Sequence, residues 1–78
     1  MMSESYWMQT FGNNLNYFME QANMTQEELA RATGLTQASI SRYASGRQMP
    51  GVRAIINIAN ALGVTTDELI DFGDMIEQ

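Results

Sequence analysis

Two short helical segments in the middle of the chain constrain its fold more than any other feature. Thr25 opens the first segment, and Glu28 follows at the spacing of a capping box. Gly34 stops it, since glycine readily adopts the positive φ that ends a helix. Thr36 opens the second segment, which Gly46 ends. The sequence therefore predicts two helices of about two turns each, joined by a tight turn.

Apolar residues recur at helical spacing before this pair of helices. The stripe comprises Trp7, Phe11, Leu15, Phe18 and Ala22. A glycine and two asparagines at 12–14 weaken the first turn, so we expect the helix to start between Ser5 and Thr10, with residues 1–5 frayed. Tyr6 and Trp7 either extend the core or belong to an interface, where aromatic residues are enriched.

Two further helices are expected in the C-terminal half. The segment 52–62 follows Pro50, ends at Gly63, and carries its apolar residues at i, i+3, i+4 and i+7. Thr65 and Glu68 repeat the capping box for a short fifth helix that runs to about Asp71. The prediction is an all-α, compact bundle of five helices in a single domain.

The domain is expected to span residues 1–78, with a core over 6–71 and a tail over 72–78. The tail carries three apolar side chains that need cover: Phe72, Met75 and Ile76. Two placements are open, either packing on the core of the same chain or a contact in a dimer.

Charge is distributed unevenly along the chain. The net charge is −5, and lysine is absent. All four arginines lie within residues 25–53, where only Glu27 and Glu28 oppose them, so this segment carries +2. Residues 1–24 carry −2 and residues 54–78 carry −5. A positive segment on the two short helices favours a polyanionic partner that is held through few charge contacts.

Composition narrows the chemistry available to this protein. The chain has no cysteine and no histidine, which removes disulfides, the usual zinc ligands and histidine-based acid–base catalysis. We see no catalytic constellation and expect no cofactor; the acids Asp67, Asp71 and Asp74 read as a solvated face and not as a metal site. No apolar run has the length of a membrane span, so we expect a soluble, cytoplasmic protein with no membrane partner.

The central segment resembles the helix-turn-helix of the lambda-repressor and Cro family, the XRE-type regulators. The resemblance extends over roughly residues 11–70, through residues 46–50 and 61–69. The matching residues of the two central helices are Gln26, Leu29, Ala30, Gly34, Ile40 and Tyr43. The resemblance implies a lambda-repressor-like DNA-binding domain whose helix-turn-helix is formed by helices 2 and 3.

Helix 36–45 is then the candidate for reading DNA, with residues near its N-terminus facing base edges in the major groove. Ile40 and Tyr43 face inward, and the predicted base contacts are four outward residues: Gln37, Ala38, Ser41 and Arg42. The resemblance implies that Gln37, Ala38 and Arg42 occupy the family's principal base-reading positions. Gln can bind adenine through N6 and N7, and Arg can bind guanine through O6 and N7. Three predicted phosphate contacts, Thr25, Ser45 and Arg47, flank the two helices. The others are Gln26 in the first turn of its helix, Ser39 and Arg53. The resemblance also implies a hydrogen bond between Gln26 and Gln37.

The sequence departs from the family at one pair of positions. Many members carry an arginine in the first helix and a glutamate near the end of the recognition helix, which form a buried ion pair. Met19 and Ala44 stand at the matching positions. Because both charges are missing together, no charge is left unpaired, and we predict an apolar contact in place of the ion pair.

Two functions from different classes follow from these observations. The first is a sequence-specific transcriptional regulator, in this family usually a repressor, that binds double-stranded operator DNA as a homodimer. One short recognition helix covers few base pairs, so symmetric half-sites are expected. The alternative is a protein-binding module, like an antirepressor or antitoxin, that acts through its acidic, apolar C-terminal region.

Overall fold

Residues 3–70, the part of the chain that the computed structural model describes, form five helices and no strand. The helices are α1 (Glu4–Gln21), α2 (Gln26–Thr33), α3 (Gln37–Ala44), α4 (Val52–Leu62) and α5, which begins at residue 66 and is described as far as residue 70. The predicted all-α, five-helix architecture is confirmed.

The predicted caps of the central helices are present. The Thr25 side chain accepts a hydrogen bond from the Glu28 backbone N–H at 3.1 Å, and the Glu28 carboxylate accepts one from the Thr25 N–H at 2.8 Å. Thr36 accepts from the Ser39 N–H at 3.0 Å. Gly34 ends α2 with a φ of 76°, in the left-handed region. Local sequence therefore sets the ends of both helices.

The predicted start of α1 is wrong. Ser3 is its N-cap and accepts a hydrogen bond from the Tyr6 N–H at 3.1 Å, so the helix begins at Glu4 and includes Ser5. Residues 12–14 lie in the middle of the helix, where packing from other helices outweighs their low helix propensity. At the other end, Ala22 is the exposed C-cap residue and does not extend the apolar stripe.

The core is assembled from all five helices. α1 contacts α3, while α2 contacts both α3 and α4. The side chains buried without measurable exposure come from every element: Leu15, Leu29, Ile40, Ile58 and Leu69. Trp7 is half-buried and makes a T-shaped contact with the ring of Tyr6, at a centroid distance of 5.3 Å. The two placements of these aromatic residues, core extension and interface, stay predictions.

Two polar contacts attach α1 to distant parts of the chain. The Asn16 side-chain amide donates to the Ala44 carbonyl at the end of α3 (2.9 Å). The buried amide of Asn14 donates to the Leu69 carbonyl in α5 (2.6 Å). Gly12 lies so close to the end of α3 that a Cβ there would sit 2.9 Å from the carbonyl oxygens of Tyr43 and Ala44. Asn16 and Gly12 therefore fix the end of α3 against α1, and Asn14 attaches α5 to α1.

Some predictions fall on residues outside 3–70. These are the end of the fifth helix at Asp71 and the placement of the tail residues Phe72, Met75 and Ile76. Within the described range, no helix is both long enough and apolar enough to cross a membrane.

Candidate nucleic-acid interface

The turn between α2 and α3 is stabilised by hydrogen bonds that involve one threonine hydroxyl. The Thr33 hydroxyl donates to the Leu29 carbonyl at 2.8 Å and accepts from the Leu35 backbone N–H at 3.3 Å. Gly34 supplies the left-handed residue between them. Leu35 packs against the core. This arrangement fixes the direction in which α3 leaves the turn.

Helix α3 has one buried face and one exposed face, as its pattern predicts. Ile40, Tyr43 and Ala44 are buried. The side chains of Gln37, Ala38 and Arg42 are exposed, so three of the four predicted base contacts face solvent. The fourth, Ser41, is only half-buried and lies at the edge between the two faces.

Hydrogen bonds organise the exposed side chains of α3. The Thr36 hydroxyl donates to Ser39 Oγ at 3.0 Å, and Arg42 Nη2 donates to the same oxygen at 3.2 Å. Arg42 Nε donates to Gln48 Oε1 at 2.8 Å. The structure thus joins one predicted phosphate contact, Ser39, to one predicted base contact, Arg42.

The end of α3 brings two other predicted phosphate contacts together. Arg47 Nε donates to Ser45 Oγ at 2.9 Å, and both residues are exposed. Gly46, with a φ of 75°, reverses the chain between them, and the Arg47 N–H donates to the Arg42 carbonyl at 3.0 Å. The Ser45 hydroxyl itself donates to the Arg42 carbonyl at 3.2 Å. Of these two side chains, the Arg47 guanidinium therefore has N–H groups left to donate to a phosphate oxygen.

The start of α2 carries Thr25, which is exposed, and Gln26, which is half-buried. Backbone N–H groups at a helix start favour anions. The Gln26 and Gln37 side chains take no part in the hydrogen bonds of residues 3–70, so the bond between them that the resemblance implies is not formed in this state. Arg53 is exposed on α4, outside the helix-turn-helix.

The two acids of this segment are engaged locally. Glu27 pairs with Arg31 at 3.6 Å on the exposed surface of α2. Glu28 caps α2, and the hydrogen bond from the Thr25 backbone N–H, followed by that from its side chain, holds the pKa of the Glu28 carboxyl below its ordinary value. Within residues 3–70, Arg42, Arg47 and Arg53 have no carboxylate partner. The unpaired positive charge therefore lies on α3 and the residues that follow it.

Two features of this region are not among the predictions from the sequence. Gln48 contacts Arg42, and only the fold of the connection between α3 and α4 could reveal that contact. On α4, Val52 and Ile56 are 75% and 45% exposed and line a shallow depression with Arg53 and Asn57. A helical pattern could have placed Val52 and Ile56 on one face, since they are four residues apart.

Comparison with known proteins agrees with this geometry. The HTH_3 helix-turn-helix family model matches residues 15–69. An uncharacterized HTH-type transcriptional regulator of Bacillus subtilis, YqaE, is 33% identical over 60 residues, which are 77% of this chain and 52% of that protein. The phage CTXphi transcriptional repressor RstR of Vibrio cholerae is 36% identical over 47 residues, 60% of this chain and 42% of the repressor. The chain thus spans about half the length of these relatives or less.

Solved structures show the same fold. The restriction-modification controller protein C.AhdI of Aeromonas hydrophila superimposes with a TM-score of 0.76 at 26% identity, over 80% of this chain and 94% of the controller. With a family model that covers most of its length and relatives that are transcriptional regulators, this chain belongs to the helix-turn-helix family.

Proposed function

We propose that this protein is a sequence-specific DNA-binding transcriptional regulator, acting as a repressor, that reads operator half-sites in the major groove with helix 36–45. One observation carries the proposal: the exposed face of α3 presents Gln37, Ala38 and Arg42 and has no acidic residue, while Ile40 and Tyr43 anchor its other face in the core. This is the arrangement that a recognition helix requires.

The exposed side chains suit base readout in the major groove. Gln37 would bind adenine through N6 and N7, Arg42 would bind guanine through O6 and N7, and Ala38 would contact a thymine methyl group. Ser41 is half-buried at the edge of this face, and its short side chain would contact a base at closer approach. Each bidentate pair contributes about 1–3 kcal/mol of discrimination.

Phosphate contacts would hold α3 in register. At the start of α2 these are Thr25 and Gln26, and beside α3 they are Ser39, Ser45 and Arg47, with Arg53 on α4. Hydroxyl groups, guanidinium groups and backbone N–H groups are the usual donors to phosphate oxygens. With three unpaired arginines in the described range and a net charge of −5, we expect few of these contacts to be ionic.

The regulator would act as a homodimer. Helix α3 has 8 residues, too few to specify a long site alone. Two copies that bind half-sites about 34 Å apart would double the number of base contacts.

The test is an in vitro selection from random duplex DNA at low salt, with purified protein. We expect wild type to enrich a two-fold symmetric motif, and Gln37→Ala/Arg42→Ala to lose or relax it. Gln21→Ala, an exposed glutamine of α1, is the control and should select the wild-type motif. If the wild-type protein is folded and dimeric and enriches nothing, the proposal is wrong.

A second candidate function is binding of a protein partner. It is favoured by the exposed apolar pair Val52 and Ile56 on α4, since exposed apolar patches mark interaction sites. The acidic C-terminal region, of which Asp67 and Glu68 lie within the described residues, would contribute to the same interaction. Weak binding to all duplexes, together with a stable complex with another protein, would support this function over DNA recognition.

A further inference from the structure

The guanidinium of Arg42 is fastened to the protein along one edge. Its Nε donates to Gln48 Oε1 at 2.8 Å, and its Nη2 donates to Ser39 Oγ at 3.2 Å. These two nitrogens lie on the same side of the planar group. Ser39 Oγ is itself held by the Thr36 hydroxyl at 3.0 Å. The side chain is therefore held at two points although it is exposed to solvent.

The other edge of the same guanidinium has no partner within residues 3–70. Of the five N–H donors of an arginine, two are used, and both Nη1 donors and one Nη2 donor remain. The end-on pair of Nη1 and Nη2 donors matches the two acceptors of guanine, O6 and N7. The hydrogen bonds within the protein thus use the Nε side of the Arg42 guanidinium and leave the end-on donor pair available for guanine.

The position of Gln48 follows from the connection between α3 and α4. Gly46, with a φ of 75°, turns the chain back, and the hydrogen bond from the Arg47 N–H to the Arg42 carbonyl closes the turn. Pro50, which follows Gln48 by two residues, is buried and anchors the other end of this connection. Gln48 is thereby placed six residues beyond Arg42 and within hydrogen-bond distance of it.

We propose that Gln48 is a positioning residue that sets base specificity through Arg42. By holding Nε, it keeps the free donor pair of Arg42 directed away from the protein before DNA arrives. An arginine ordered in advance loses less side-chain freedom on binding, which raises its preference for guanine. The inference rests on the proposed function, because it assigns Arg42 a base to read.

The first test concerns the free protein and needs no DNA. NMR relaxation of the Arg42 Nε–H group would be compared in wild type, Gln48→Met, which keeps the length but removes the acceptor, and the control Gln21→Met. We expect Arg42 Nε–H to be ordered in wild type and in the control, and mobile in Gln48→Met. Equal mobility in all three proteins would overturn the proposed contact.

The second test measures base preference at the position that Arg42→Ala identifies in the selected motif. Wild type and variants would compete for duplexes that carry guanine or 7-deazaguanine, which lacks the N7 acceptor, at that position. We expect Gln48→Met to lower the preference for guanine by about two- to ten-fold, the factor for ordering one long side chain. Gln48→Glu, which restores an acceptor, should recover the preference while binding all DNA more weakly.

A double variant separates positioning from direct contact. In the Arg42→Ala background, Gln48→Met should change no base preference. A loss of preference at another base pair, or a further loss in that background, would mean that Gln48 reads DNA itself, and the inference would be wrong. An ordered Arg42 in a wild-type protein that selects no motif would instead refute the proposed function, and with it the role of Gln48 in specificity.

Discussion

The side-chain amide of Asn14 donates a hydrogen bond to the backbone carbonyl of Leu69, 55 residues away, at 2.6 Å. Asn14 is 6% exposed and is the one buried polar residue in the described range. The bond joins the middle of α1 to α5, whose Leu69 side chain is itself fully buried. The last described helix is therefore attached to the first by a specific polar contact as well as by apolar packing.

Replacement of Asn14 by alanine should destabilise the fold by about 1–3 kcal/mol, because it leaves a buried carbonyl without this donor. The free energy of unfolding in urea would measure the loss. Asn60→Ala, at an exposed helical position of α4, is the matched control and should stay within about 0.5 kcal/mol of wild type. Equal effects of the two substitutions would show that the hydrogen bond contributes nothing.

Gly12→Ala should also destabilise, although alanine is the better helix former by about 1 kcal/mol. The new Cβ would lie 2.9 Å from two backbone oxygens of α3. Since neither oxygen can rotate away, the helices must separate, at a cost of about 1–3 kcal/mol. Thermal unfolding beside Asn13→Ala, an exposed neighbour, is the measurement. A variant more stable than wild type would mean that the two helices move apart freely.

The apolar replacement of the family's ion pair gives a third prediction. Met19 and Ala44 are 7% and 8% exposed, so Ala44→Glu places an unpaired carboxylate in the core and should cost about 3 kcal/mol or more. Met19→Arg combined with Ala44→Glu should recover part of the loss. The contact between the two positions is refuted by a double variant that melts no higher than Ala44→Glu alone.

Acid should weaken the cap of α2. The pKa of Glu28 is held below its ordinary value of 4.5 in the folded state, first by the Thr25 backbone N–H. A depressed folded-state pKa contributes stability that is present above the unfolded pKa and is lost as the pH falls through the folded one. The difference in Tm between wild type and Glu28→Gln, which keeps a hydrogen-bonding side chain, should therefore shrink from neutral pH to well below 4.5. A difference that does not change with pH would contradict this.

Salt dependence can separate a phosphate contact from a surface charge. Arg47 has no carboxylate partner in the described range, whereas Arg31 forms an ion pair with Glu27 at 3.6 Å. Arg47→Gln should lower the slope of log K against log salt concentration by about 0.9, the value for one phosphate. Arg31→Gln should leave the slope near that of wild type. Fluorescence anisotropy on the selected duplex would measure both, and indistinguishable slopes would remove Arg47 from the interface.

Much of this fold can be predicted because its signals are local. Thr25 and Thr36 cap helices, and Gly34 ends one, through hydrogen bonds and backbone angles that involve only residues a few positions away. The outward positions of α3 follow in the same way from the inward ones, since the helical period relates them. The start of α1 is also set locally, by the cap at Ser3. The place of Gly12 within that helix depends instead on its close packing against the end of α3.

The sequence by itself determined five helices, the bounds of the helix-turn-helix, and the exposure of Gln37, Ala38 and Arg42 on α3, because capping and helical periodicity act within a few residues. Only the tertiary structure decided three contacts: the close approach of α3 to Gly12, the hydrogen bond from Asn14 to Leu69 in α5, and the hydrogen bond between Arg42 and Gln48. Each of these contacts joins residues from different elements, and its existence depends on the distance and angle between those elements. No local pattern records that distance, so the support behind the recognition helix and the orientation of its arginine appear only when the chain is folded.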